Sequence, residues 1–141
     1  MEEPIWIQQE LAEAVHERQL AEHGGTPGLR DEGLLQSALA RPLHLFAYGG
    51  AEVDILALAA SVAHGIARNH PFMDGNKRTS AVACELPLEL NGYMLVANDE
   101  ELYPVFLGLA AGDWSEAELA EWLRARARPD SVNEPAGTYT P

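Results

Sequence analysis

His70-Pro71-Phe72-Met73-Asp74-Gly75-Asn76-Lys77-Arg78 lies between two runs of helical character, an apolar one ending near Asn69 and another beginning near Asn76. Pro71 stops the first run just after His70. Within nine residues there are an imidazole, a carboxylate, a glycine and two cations. From position 55 to 84 Asp74 is the only acid, although the whole chain carries 22 acids against 9 lysines and arginines. A cationic island in an acidic protein points to an anionic ligand.

The placement of the charges sharpens that reading. Lys77 and Arg78 fall in the first turn of the second helix, the end that the helix dipole already makes positive. Two cations there are unfavourable alone and favourable beside an anion. Free backbone N–H groups at the same end bind anions, and Gly75 lets the backbone come close, which together fit phosphate. Asp74 is a candidate Mg²⁺ ligand bridging to phosphate oxygens. His70 is a candidate general base at neutral pH. Asn76 is expected to cap the second helix and to donate to phosphate, and Phe72 to plug into the core. Singly, each residue has a plainer reading: a structural histidine, a capping aspartate, a solvated Lys-Arg pair. Their combination at this spacing carries the argument.

The remainder of the chain bounds the context. With 141 residues it is expected to form one domain large enough to bury a real core. A composition of 47% hydrophobic and 22% charged residues is that of a soluble globular protein. The net charge of −13 argues against direct nucleic-acid binding and against adhesion to anionic membranes. One cysteine, Cys84, excludes an internal disulfide and reads as a buried thiol; with no leader-like pattern opening the chain, a cytoplasmic location is expected.

In chain order, residues 1–7 read as a short extended entry and about 8–22 as a helix with Ile7, Leu11, Ala14 and Val15 inward. His23-Gly24-Gly25 stops it, and Thr26-Pro27-Gly28-Leu29-Arg30 is a loop. Asp31 caps a short helix that Pro42 is expected to end, leaving Leu43–Gly50 irregular, with His44, Phe46 and Tyr48 as possible cleft aromatics. Asp54 caps residues 55–69, apolar on nearly every side and hence the most buried helix. The second central helix runs from about Asn76 to Asn91, with a kink expected at Pro87; Pro104 raises the same problem in 99–111. Ser115-Glu116-Ala117-Glu118 is a capping box, and Arg124, Arg126 and Arg128 read as a solvated helix end. Residues 129–141 are expected to be a mobile tail after a domain spanning 1–128. The sum is an all-α domain of about six helices around a buried central pair, with a short flap before the second helix.

The stretch from His70 to Arg78 resembles the signature of the Fic/Doc superfamily, His-x-Phe-x-Asp/Glu-Gly/Ala-Asn-Gly/Lys-Arg, at every position. His16-Glu17-Arg18, Glu22-His23-Gly24-Gly25, Pro27 to Asp31, Ala67-Arg68-Asn69 and Leu90-Asn91-Gly92-Tyr93 are similar to the Doc, or death-on-curing, branch. The resemblance covers roughly residues 6–125 and implies an all-α Fic fold. It further implies ATP and Mg²⁺ as cofactors and transfer of part of the nucleotide to a protein hydroxyl. In the Doc branch that is the γ-phosphate, moved to a threonine of elongation factor Tu, which halts translation and growth. By carry-over His70 is the general base, Asp74 binds Mg²⁺, Gly75 and Asn76 hold phosphate, and Lys77 with Arg78 offsets charge on the transferred group. Arg68 is either an assistant or a helix-end cation, and Leu29–Asp31 either a substrate-docking flap or an ordinary loop.

AMP transfer stays open as the alternative. Lys77 stands where AMP-transferring members have glycine and Ala81 where they have a second arginine, whereas Pro71 and Gly75 match that branch. No Ser or Thr has Glu four residues on, so the inhibitory motif some members carry is missing, and inhibition is expected from a separate Phd-like antitoxin in trans. Two other classes are a catalytically silent partner-binding module and a metal hydrolase using His64, His70 and Asp74. Pro71 splits the last set and makes its spacing poor for a closed metal site.

Overall fold

The computed structural model describes residues 1–130. Among them the chain forms six helices: α1 (Gln9–His23), α2 (Glu32–Tyr48), α3 (Ile55–Asn69), α4 (Asn76–Leu90), α5 (Asp99–Ala111) and α6 (Glu116–Arg124). Two three-residue strands, β1 (Tyr93–Leu95) and β2 (Ala127–Pro129), pair antiparallel with Tyr93 opposite Pro129. The all-α expectation therefore holds, with one small ribbon added. Of the expected mobile tail, Pro129 sits in that ribbon and the Asp130 N–H donates to the Gly92 carbonyl; residues 131–141 lie outside the described residues.

The apolar run at 55–69 becomes the central helix. Eleven of the fifteen residues of α3 are buried, and α3 packs against α2, α4, α5 and α6. Its small residues allow close crossings: a Cβ added at Gly65 would lie 3.0 Å from the Cα of Ala38 on α2. The Asp54 side chain caps α3 by accepting from the Ala57 N–H at 2.9 Å, and Ser80 Oγ donates to the Ala63 carbonyl at 2.7 Å, tying α4 to α3. Cys84 is fully buried in the core, where desolvation pushes its thiol well above the ordinary range, so it acts as a packing residue.

Several expectations are corrected. α2 does not end at Pro42 but continues to Tyr48. Pro42 is buried there, and beyond it Leu45 and Phe46 pack on the core while Phe46 meets Trp6 edge-on at 5.5 Å; that burial offsets the lost backbone bond, a penalty of ~3 kcal/mol. Phe46 is thus a packing residue, and Tyr48 stands on the open surface, 87% exposed. Leu11 and Ala14 of α1, expected inward, are exposed, and the face that α1 buries carries Ala12 and His16. Arg124 is not a solvated helix end: its guanidinium grips both oxygens of Asp54 at 2.7 and 3.0 Å, joining the end of α6 to the start of α3. Arg126 lies over the Trp122 ring at 4.2 Å. α4 and α5 run on as helices through Pro87 and Pro104.

Candidate active site

The site is the junction from α3 to α4. His70 closes α3 in the left-handed conformation, φ 48 and ψ 57, and is the only non-glycine residue with positive φ among the described residues. Such backbone costs of order 1–3 kcal/mol in a residue with a Cβ and persists only when its surroundings impose it. They do so here through Arg30. Its Nε donates to the His70 carbonyl and its Nη2 to the Asn69 carbonyl, each at 2.6 Å. A cation at these carbonyls also suits the negative end of α3. Arg30 N–H and Asp31 N–H both donate to the Pro71 carbonyl, and Met73 N–H to that of Gly28. Leu29 and Phe72 form a single antiparallel bridge. The stretch read as a flap is thus pinned along its inner edge to the site loop.

Phe72 is 1% exposed and anchors the loop as expected. The Asn76 carboxamide encloses it: Oδ1 accepts from the Phe72 N–H at 3.0 Å and Nδ2 donates to the Phe72 carbonyl at 2.9 Å. The expected side-chain cap by Asn76 is corrected accordingly. The N-cap is Gly75, left-handed at φ 77, and no side chain caps the first turn of α4. The backbone N–H groups at that turn are therefore left for another acceptor.

Asp74 is held from three directions. Its Oδ1 accepts from the Gly75 N–H at 2.9 Å and its Oδ2 from the Thr26 N–H at 3.1 Å. Its carbonyl oxygen lies 2.8 Å from His16 Nε2, so that nitrogen carries a proton and donates. The His16 ring in turn stacks on Phe72, centroids 3.9 Å apart and planes 8° apart. The Thr26 and Gly75 N–H bonds, then the fields of His16 and Arg78, hold the Asp74 carboxyl below its ordinary range. Asp74 is thus an ionised, oriented and exposed carboxylate. The Gly24-Gly25 pair does more than stop α1, because a Cβ at Gly25 would lie 2.9 Å from Asp74 Oδ2.

His70, Asp74, Gly75, Asn76, Lys77 and Arg78 all line one open cleft, together with Met73 and Tyr103. His70 faces this cleft and not the packed interior. Lys77 and Arg78 are exposed and, among the described residues, neither is hydrogen-bonded or ion-paired; Arg78 reaches Asp74 only through its field. His64 lies elsewhere, with Nδ1 3.8 Å from Glu116, so the set His64, His70, Asp74 is not assembled. No group of three or more metal-ligating side chains occurs among the described residues. A Mg²⁺ shared with phosphate is commonly held by one or two carboxylates plus substrate oxygens, and an oriented, exposed carboxylate is the donor such an ion would take. Asp74 is the residue suited to it. From the sequence, His16, Thr26 and Tyr103 have no role in the site, Gly25 only that of a helix stop, and Arg30 only a place in the Leu29–Asp31 stretch.

This arrangement, a strained histidine opposite an uncapped, doubly cationic helix start with a fixed aspartate between, coincides with a sequence match. Residues 6–88 match the Fic/DOC family, and the chain belongs to it. Among curated proteins it is similar to the protein kinase doc of Escherichia phage P1, 32% identical over 111 residues, which is 79% of this chain and 86% of the relative. It is also similar to the toxin Doc of Mycolicibacterium smegmatis strain ATCC 700084 / mc(2)155, 42% identical over 76 residues, covering 53% of this chain and 58% of that one. No helix among the described residues is long and apolar enough to cross a membrane.

Proposed function

We propose that this protein is a toxin of the Doc type, a protein kinase that moves the γ-phosphate of ATP to a side-chain hydroxyl of a translation protein and arrests growth. By resemblance the acceptor is a threonine of elongation factor Tu, and a separate Phd-like antitoxin restrains the enzyme in trans. One observation carries the reading: Lys77 and Arg78, without partners among the described residues, flank the uncapped start of α4 in the same cleft as His70. The names of the two relatives support it.

In this reading the first-turn N–H groups of α4, Lys77 and Arg78 bind and orient the phosphates. Asn76 keeps the loop closed on Phe72. Asp74 would hold Mg²⁺ beside the phosphates, and the bound ion would supply neutralisation of the charge that develops on the leaving group. His70 takes the proton from the acceptor hydroxyl as its oxygen bonds to the γ-phosphorus; the bond from that phosphorus to the β,γ-bridging oxygen breaks and ADP leaves. Arg30 fixes the backbone that presents the imidazole.

AMP transfer by the same residues is the second reading, favoured by Pro71 and Gly75. Incubation with a bacterial lysate and ATP labelled at the γ- or the α-phosphate separates the two. Label from γ alone is expected; label from α refutes the kinase reading. Replacing Lys77 by Gly is expected to shift product toward adenylyl transfer, read as the mass added to the target, and an unchanged product shows that Lys77 does not choose the chemistry. Absence of ATP–Mg²⁺ binding by calorimetry favours a silent binding module.

A further inference from the structure

A hydroxyl that the transfer chemistry does not use stands at the edge of the site. Thr26 precedes the stretch pinned to the site loop, and its backbone N–H donates to Asp74 Oδ2 at 3.1 Å. A threonine hydroxyl lies within about 4 Å of its own backbone nitrogen, so this one sits beside the carboxylate. Asp74 in turn lines the cleft with His70, Lys77 and Arg78. Thr26 is exposed, and its hydroxyl makes no hydrogen bond among the described residues. The other hydroxyls are buried or stand elsewhere. Thr79, the second threonine among the described residues, is fully buried in α4, and Ser61 and Ser80 are buried as well. Ser115 caps α6, and Ser37 stands on α2. Among the described residues, the exposed threonine is therefore the one at the site.

We infer that Thr26 is an acceptor for its own active site: the enzyme phosphorylates this loop within one molecule, and the phosphate so placed restrains it. The inference rests on the kinase reading above and names a second acceptor for the same chemistry. Thr26 Oγ1 bonds to the γ-phosphorus while the bond from that phosphorus to the β,γ-bridging oxygen breaks. The hydroxyl proton passes to His70, and ADP leaves with the electron pair of the broken bond. A phosphothreonine carries a charge of about −1.5 to −2 and three strong acceptor oxygens. Lys77, Arg78 and the uncapped start of α4 lie in the cleft that Asp74 shares, and the field of Arg78 already reaches Asp74. A phosphate tethered beside Asp74 is drawn to those groups and competes for them with the phosphates of ATP. It also repels the Asp74 carboxylate and disturbs the Thr26 N–H bond that orients it. Both effects weaken the binding of the next ATP.

The test is incubation of the full chain with Mg²⁺ and ATP labelled at the γ-phosphate, followed by peptide mass spectrometry. A single phosphoryl group is expected on Thr26, formed with a rate constant that does not change with protein concentration. Thr26→Val should lose the self-label and Thr26→Ser should keep it. A native chain preincubated with ATP should then label lysate protein at least about tenfold more slowly than before, the scale of one charge-assisted hydrogen bond denied to ATP, while Thr26→Val loses nothing on preincubation. Calorimetry with inorganic triphosphate gives a readout without transfer. Thr26→Glu should bind it about tenfold more weakly than Thr26→Gln, which has the same size without the charge. Equal affinities overturn the restraint, because a charge at this position then does not reach the phosphate site. Label on lysate protein with none on the chain, label on another residue, or a rate constant proportional to protein concentration overturns the inference and leaves the kinase reading standing. If neither the chain nor lysate protein takes label from the γ-phosphate, the kinase reading fails and the inference with it.

Discussion

Replacing Arg30 by alanine is the sharpest probe of how this site is held. The guanidinium makes two 2.6 Å bonds, to the carbonyls of residues 69 and 70, and both sit at the end of a helix dipole. Charge-assisted bonds of this kind contribute about 1.5–3 kcal/mol when shielded, and less here because Arg30 is exposed. The left-handed backbone of His70 costs about 1–3 kcal/mol, so the two terms are of similar size. Removing one leaves the other unopposed, and a loss of 1.4 kcal/mol of support lowers the population of the presented imidazole about tenfold. Arg30→Ala is therefore expected to lose about 1–2 kcal/mol in urea unfolding and ten- to a hundredfold in the single-turnover rate of phosphate transfer, with ATP affinity nearly unchanged. Arg30→Lys should recover little, because one ammonium does not reproduce a fork reaching two carbonyls. A variant destabilised by more than 1 kcal/mol that still transfers phosphate at the native rate refutes the reasoning, since His70 then does not depend on this clamp.

Other expectations follow from the same geometry. His70→Gly relieves the positive φ and should raise stability by about 1 kcal/mol in thermal or urea unfolding while abolishing growth arrest; a destabilised variant would show that the ring packs more than it strains. Gly25→Ala places a methyl 2.9 Å from Asp74 Oδ2 on backbone at φ +129, and should raise the Mg²⁺ concentration needed for half-maximal transfer roughly tenfold. The Asp74 carboxyl has a lowered pKa in the folded state, so its contribution to stability is present above the ordinary aspartate range and is lost as pH falls through the folded value. The difference in urea midpoint between the native chain and Asp74→Asn should accordingly shrink in acid, and a constant difference down to low pH would show that the two N–H bonds do not discriminate the charge.

Much of this was legible before any coordinates. The continuous apolar run at 55–69 has no face to give to water and must be central, and Asp31, Asp54 and Ser115 cap their helices because the rule is local. The nine residues from His70 to Arg78 carry their chemistry in a short span, so their association survives without knowledge of the rest. Pro42 was misread for the opposite reason: the penalty it imposes is local, but what offsets it, Phe46 against Trp6 and Leu45 on the core, comes from a segment forty residues earlier and a helix still to come. Arg124 resembles any basic helix end until α6 brings it to Asp54, seventy residues away. His16, Thr26 and Arg30 likewise have no role that spacing can reveal, since each acts across more than thirty residues on a backbone atom or carboxylate of the site loop.

Sequence by itself picked out the residues proposed to meet an anion and settled which helix has to be buried, because charge, hydropathy and backbone punctuation are properties of neighbours along the chain. Tertiary structure alone decided how His70 is strained into place, what orients Asp74, and that the cleft at His70 and Lys77 continues past Tyr103 along α4 and α5, because those depend on distances between elements that no local pattern encodes.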